Sequence, residues 1–80
     1  MRVRYFAGAA EAAGVTEEVV EADFSVTAAD LVEQLGADRE RLAAVLKVSS
    51  LLVDGVAVRE RSELVAPSAQ VDVLPPFAGG

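Results

Sequence analysis

Hydrophobic and polar positions alternate from the start of the chain. Val3 and Tyr5 point one way and Arg2, Arg4 and Phe6 the other, so Arg2 to Ala7 predicts a strand buried on one face. Gly8 ends the run, and a loop of small residues follows to Gly14. Within it, Ala9-Ala10-Glu11-Ala12-Ala13 has the composition for a helical turn. Glu17 to Ala22 predicts a second strand through its β-branched pair Val19-Val20, with acidic residues on the exposed face. The simplest pairing of these two strands is antiparallel.

The period then changes. Thr27 predicts an N-cap, with Asp30 at the third helical position as a weak capping box. Ala28, Leu31, Val32 and Leu35 form an apolar stripe at helical spacing, and Gly36 predicts the stop. Asp38 predicts the cap of a second, short helix to about Leu46, with Leu42, Val45 and Leu46 as its apolar side. Leu51-Leu52-Val53 and Val56-Ala57-Val58 flank Asp54-Gly55, a strong hairpin signal. Arg59 to Ser62 is a polar connection, Pro67-Ser68 a turn, and Gln70 to Leu74 the last strand. In that strand Val71 and Val73 form the inward set, and Asp72 and Leu74 point outward.

This order predicts an α+β fold in which one main helix covers a mixed sheet of about five strands. A β-grasp (ubiquitin-like) roll fits it. A ferredoxin-like fold would need a second full helix near Arg59 to Pro67, where Leu64-Val65 are the apolar anchors and Pro67 interrupts.

Size and composition narrow the chemistry. The 80 residues predict a single domain over 1–80, with positions 75–80 as a flexible tail. With neither histidine nor cysteine, the chain has no imidazole base, no Ser-His-Asp triad, no disulfide and no thiolate ligand. No metal site is expected, and Glu17, Glu18, Glu21 and Asp23 read as a solvated acidic edge. A net charge of −6 disfavours nucleic acid and anionic membranes and suits a partner with a basic face. Lys47 is the only lysine. Arg59 and Arg61 have Glu60, Glu63 or a partner's carboxylates as candidate ion-pair partners. No apolar run is long enough to span a bilayer, and Met1 to Phe6 is too short and strand-like for a signal peptide, so a cytoplasmic location is expected.

The most informative stretch is the last, Pro75-Pro76-Phe77-Ala78-Gly79-Gly80. Two glycines followed by a carboxylate can thread a channel too narrow for any side chain. Pro75 and Pro76 restrict φ and favour an extended exit from the strand, and Phe77 is placed to anchor in a groove.

The opening Val3-Arg4-Tyr5-Phe6-Ala7, the helix from Thr27 to Leu35, the hairpin at Leu52-Val53-Asp54-Gly55 and the end Leu74-Pro75-Pro76-Phe77-Ala78-Gly79-Gly80 together resemble the small subunit of molybdopterin synthase, a ubiquitin-like sulfur carrier. The resemblance covers the whole chain. It departs at Pro67-Ser68-Ala69-Gln70, where family members commonly carry a Gly-Asp-Glu-like turn.

The resemblance implies a β-grasp fold whose first and last strands are neighbours, and a C-terminal thiocarboxylate. It implies that Gly80 is adenylated and then carries the sulfur, with Gly79 its threading neighbour. An E1-like adenylating enzyme would supply the site for ATP and Mg²⁺; this chain binds no cofactor itself. The large subunit of molybdopterin synthase would accept the loaded tail and pass sulfur to the cyclic pyranopterin precursor, building the dithiolene. Phe6 and Leu74 would form an apolar patch at the base of the tail, meeting both partners together with Pro75, Pro76, Phe77 and Ala78. Other functions remain open on the same residues: a ubiquitin-like modifier forming isopeptide bonds through Gly80, a sulfur carrier for another thiolation pathway, or an interaction domain with an inert end.

Overall fold

The computed structural model describes residues 1–76. Its elements are β1 (Arg2–Tyr5), α1 (Gly8–Ala13), β2 (Glu17–Val19), β3 (Val26–Thr27), α2 (Ala28–Gly36), α3 (Glu40–Val48), β4 (Ser50–Val53), β5 (Val56–Ala57), β6 (Leu64–Val65) and β7 (Gln70–Leu74). A five-stranded mixed sheet runs in the order β2-β1-β7-β4-β5, and β3 and β6 form a separate ribbon. This is the β-grasp arrangement. β1 and β7 lie side by side and parallel, while β1–β2, β4–β7 and β4–β5 are antiparallel.

Register explains the core. Val3 is opposite Val71, which is opposite Val53; Tyr5 is opposite Val73, which is opposite Leu51. These two rungs face the helices, and Val3, Val71 and Val73 are fully buried. Ala28, Leu31 and Leu35 from α2, Leu42 and Leu46 from α3 and Ala9 from α1 close over them. The predicted inward sets of the first and last strands are both observed. The helical layer, however, is shared: α3 is as long as α2, and each spans nine residues.

Local chemistry sets several boundaries. Thr27 caps α2, its Oγ1 accepting from the Asp30 amide at 3.1 Å. Asp54 and Gly55 both have positive φ, 50° and 84°, as a tight two-residue hairpin requires. The Asp54 carboxylate also accepts from the Gln70 amide at 3.0 Å, fastening the hairpin to the start of β7. The second strand is shorter than expected and ends at Val19, but the Val20 amide still donates to the Met1 carbonyl at 2.8 Å.

Two expected helix caps differ. Asp38 does not cap α3. It occupies a left-handed turn position with φ 59°, and Arg39 stands at the N-cap without a side-chain capping hydrogen bond. Gly36 is the last residue of α2, as expected, but not through a left-handed cap: the cap residue Ala37 is extended. A Cβ at position 36 would sit 2.9 Å from the Ala43 Cβ and 3.0 Å from its Cα. Glycine is needed because α2 and α3 nearly touch there. Gly36→Ala is expected to destabilise the domain by ~1–3 kcal/mol as the helices are forced apart, read as a lower midpoint in urea unfolding.

Arg61 supplies the end of α3, donating to the Leu46 and Ser49 carbonyls at 3.2 and 2.9 Å. A cation there satisfies orphan carbonyls and complements the helix dipole. Its expected carboxylate pairing is not made within the described residues. Glu63 instead accepts from the Arg59 and Glu60 amides at 2.8 and 2.9 Å. Among the described residues, no helix is long and apolar enough to cross a membrane.

Candidate functional site

The sheet directs its last strand out of the domain beside the end of β1. The Phe6 amide donates to the Val73 carbonyl at 3.2 Å, so the parallel pairing continues one residue past β1. Phe6 therefore falls next to Leu74 at the end of the sheet, and both lie off the buried rungs. Phe6 is 39% exposed and Leu74 is half-buried. With Pro75 and Pro76 they line an apolar groove of about 550 Å³. The chain leaves the described structure from the wall of this groove. Phe77, Ala78, Gly79 and Gly80 lie outside the described residues.

The opposite wall comes from the helices. Val45 and Val48 of α3 face the groove, with Ala7 and Gly8 forming its floor between β1 and α1. Sequence periodicity placed Val45 in the core stripe and assigned Val48 no role. Val48 is 64% exposed, an apolar residue at the last helical position that nothing among the described residues covers. Its only sequence signal was that it lies outside the Leu42-Val45-Leu46 stripe. Ala7 adopts φ 48° and ψ −126°, a conformation disfavoured for a residue with a Cβ. This sharp turn lets α1 start at once and leaves Phe6 at the rim.

Beyond the groove, the outer face of the sheet carries a charged rung. Arg4 pairs with Asp72 through two hydrogen bonds, Nε to Oδ1 at 2.8 Å and Nη2 to Oδ2 at 3.0 Å. The guanidinium also lies 5.5 Å from the Phe6 ring centroid, a cation–π contact that holds the ring toward the rim. Asp72 is 8% exposed and takes a further hydrogen bond from the Gln70 amide nitrogen Nε2 at 3.2 Å. The Arg4 hydrogen bonds hold its carboxyl below the usual range, against the opposing effect of desolvation.

The acidic edge is not uniformly solvated. Glu18 turns toward α3, where Arg39 donates to Oε1 at 2.6 Å and to Oε2 at 3.3 Å, and the Tyr5 hydroxyl donates to Oε1 at 3.1 Å. The Arg39 hydrogen bonds lower the Glu18 pKa, while burial, reinforced by the Glu18 charge, raises that of Tyr5. Glu18 thus ties β1, β2 and the start of α3 together, and Glu17 reaches Arg2 at 3.5 Å.

Glu18 and Asp72 both have folded pKa values below their unfolded ones. Their contribution is complete above the ordinary carboxylate range and is lost as pH falls through the depressed values. Stability is expected to hold near neutrality and to decline below about pH 4. Glu18→Gln with Asp72→Asn should flatten that decline in melting temperature measured against pH.

The chain matches the model of the ThiS family over residues 3–80. No match was found among the curated proteins. Among solved structures, the small archaeal modifier protein SAMP1 of Haloferax volcanii superposes with a TM-score of 0.83 at 26% identity, covering 100% of this chain and 98% of that one. A Pyrococcus furiosus protein described as a putative molybdopterin converting factor, subunit 1, gives 0.81 at 26% identity, covering 95% of each chain. Small archaeal modifier protein 1 of Methanosarcina acetivorans gives 0.79 at 25% identity, covering 99% of this chain and 94% of that one. The protein therefore belongs to the ThiS family of ubiquitin-like sulfur carriers.

Proposed function

We propose that this chain is the sulfur-carrying small subunit of molybdopterin synthase, loaded at Gly80. The observation that carries this reading is the apolar groove of Phe6, Val45, Val48, Leu74, Pro75 and Pro76 at the point where the glycine-ended tail leaves the sheet. A partner seated on that groove would receive the tail beside its own active site. The likeness to the Pyrococcus furiosus converting-factor subunit supports the same pathway.

The chemistry follows from the carboxylate. It is already negative and has no good leaving group, so sulfur cannot displace its oxygen directly. Transfer of AMP from ATP to the Gly80 carboxylate makes an acyl-adenylate and releases pyrophosphate. A persulfide then attacks the carbonyl carbon; the C–S bond forms, the C–O bond breaks and AMP leaves. A thiol reduces the resulting acyl disulfide to the thiocarboxylate. No Gly-rich phosphate loop occurs in this sequence, so ATP and Mg²⁺ belong to an E1-like activating enzyme. The large synthase subunit would then take the tail and deliver sulfur to the cyclic pyranopterin precursor. This chain supplies the docking face, the narrow exit and the carried atom.

A second reading, a protein modifier joined to target lysines through Gly80, is favoured by the likeness to small archaeal modifier proteins. Isolation of the protein from its native cells separates the two. A stable complex with a synthase large subunit, which converts the pyranopterin precursor to the dithiolene, supports the first. A ladder of covalent conjugates and no such complex would replace it with the second.

A further inference from the structure

We propose that Lys47 is a modification site, the acceptor through which the activated Gly80 of a second copy of this chain forms an isopeptide bond. This rests on the tail activation proposed above and identifies where an activated tail goes when no sulfur donor intercepts it.

The chain offers few nucleophiles for an activated acyl group. It has no cysteine and no histidine, and its guanidinium groups stay protonated. Two amines remain, at Met1 and Lys47. The Met1 amine is occupied: it donates to the Val20 carbonyl and to the Pro67 carbonyl, each at 2.7 Å, and Met1 is only 7% exposed. Acylation there requires breaking both bonds and opening the junction of β1 with its neighbours. Lys47 differs on each count. It is exposed on the last turn of α3, and the ion pairs among the described residues are made by Arg2, Arg4 and Arg39.

Lys47 is also reachable from outside the domain. It lines an open cleft of about 560 Å³ with Val32, Glu33 and Asp38. The cleft lies between α2 and α3 beside Gly36 and Ala43, whereas Pro75 and Pro76 leave through the groove on the other flank of α3. The chain's own tail therefore starts on the wrong side, and the donor is a second copy. The lone pair of the Lys47 Nζ attacks the Gly80 carbonyl carbon of the acyl-adenylate. The C–N bond forms, the C–O bond to AMP breaks, AMP leaves and the amine proton passes to solvent.

Two measurements test this. In the first, the full chain is treated with a limiting water-soluble acetyl ester and mapped by peptide mass. Acetylation is expected on the tryptic segment 42–59 at least tenfold faster than at Met1. Comparable rates at the two amines would overturn the selectivity whatever the tail does. In the second, the chain is incubated with an E1-like activating enzyme and ATP-Mg²⁺ but no sulfur donor, and pyrophosphate exchange is followed alongside. A covalent dimer is expected, carrying the segment 62–80 as a branch on Lys47, and Lys47→Arg should abolish it with exchange unchanged. Exchange without a dimer, a dimer that persists in Lys47→Arg, or a monomer lighter by one water each overturns the proposal. Absence of exchange would instead overturn the tail activation on which it rests.

Discussion

Removing Gly79 and Gly80 is expected to abolish sulfur loading while leaving the domain's melting temperature unchanged. Among the described residues, Val71 and Val73 are fully buried, Pro76 is exposed, and the buried set ends within β7. Gly79 and Gly80 carry no side chain, so their removal takes no apolar side chain away and stability should not register their loss. Chemistry should, because the reacting carboxyl would then belong to Ala78 and stop two residues short. Two residues of extended chain span roughly 7 Å, more than any reacting pair tolerates, since reacting atoms must come within about 3–3.5 Å. Gly79→Ala is the graded version. Its added Cβ leaves the reach intact and tests only the width of the partner's channel, so loading should slow rather than vanish. Intact mass after activation reads both changes, and thermal unfolding supplies the control.

The double change Phe6→Ala, Leu74→Ala is expected to weaken partner docking roughly 30-fold or more, at about 1–2 kcal/mol per apolar anchor. Both side chains line the groove and neither belongs to the fully buried core. Removing them strips apolar surface from the docking face and leaves Val45 and Val48 opposite a void. Titration of the activating enzyme and of the large subunit by calorimetry reads the loss. Val48→Ala on its own should weaken binding in the same direction, because α3 provides the facing wall. An unchanged dissociation constant for the double variant would place the docking face elsewhere on the sheet. The Arg4–Asp72 pair should survive the change, since it is held by its own two hydrogen bonds and not by the Phe6 ring.

The parts of the fold legible in the sequence are those carried by local rules. Strand alternation gave the faces of β1 and β7, Asp54-Gly55 gave the hairpin, and Thr27 gave the start of α2. Their signals lie within a few residues of the structure they specify. The ribbon of β3 and β6 was not legible because each strand is two residues long, too short to show a period. Gly36 read as a stop, and α2 does end there, but the reason a side chain is excluded lies on α3, at Ala43, and was not legible. Glu18 looked like one of several solvated acids until the fold brought Arg39 across to it.

The candidate site divides in the same way. Phe6 and Leu74 could be paired in advance because parallel register sets them together once β1 and β7 are neighbours. Val48, Ala7 and Gly8 could not, because the groove exists only where α3 ends against the turn into α1. Helical periodicity marks which residues enter the core, but it does not show which apolar residue is left uncovered at a helix end. The resemblance suggested a pathway, and the groove is the surface on which the proposed docking would occur. Family membership carries the sulfur-carrier class and leaves the acceptor of the sulfur to experiment.

The most direct measurement is the intact mass of the full chain after incubation with an E1-like activating enzyme, ATP-Mg²⁺ and a sulfur donor, followed by fragmentation from the C-terminus. One oxygen replaced by one sulfur at Gly80, strictly dependent on ATP, is the predicted result. An unchanged mass while the same enzyme loads another carrier, or sulfur found on any other residue, would contradict the account.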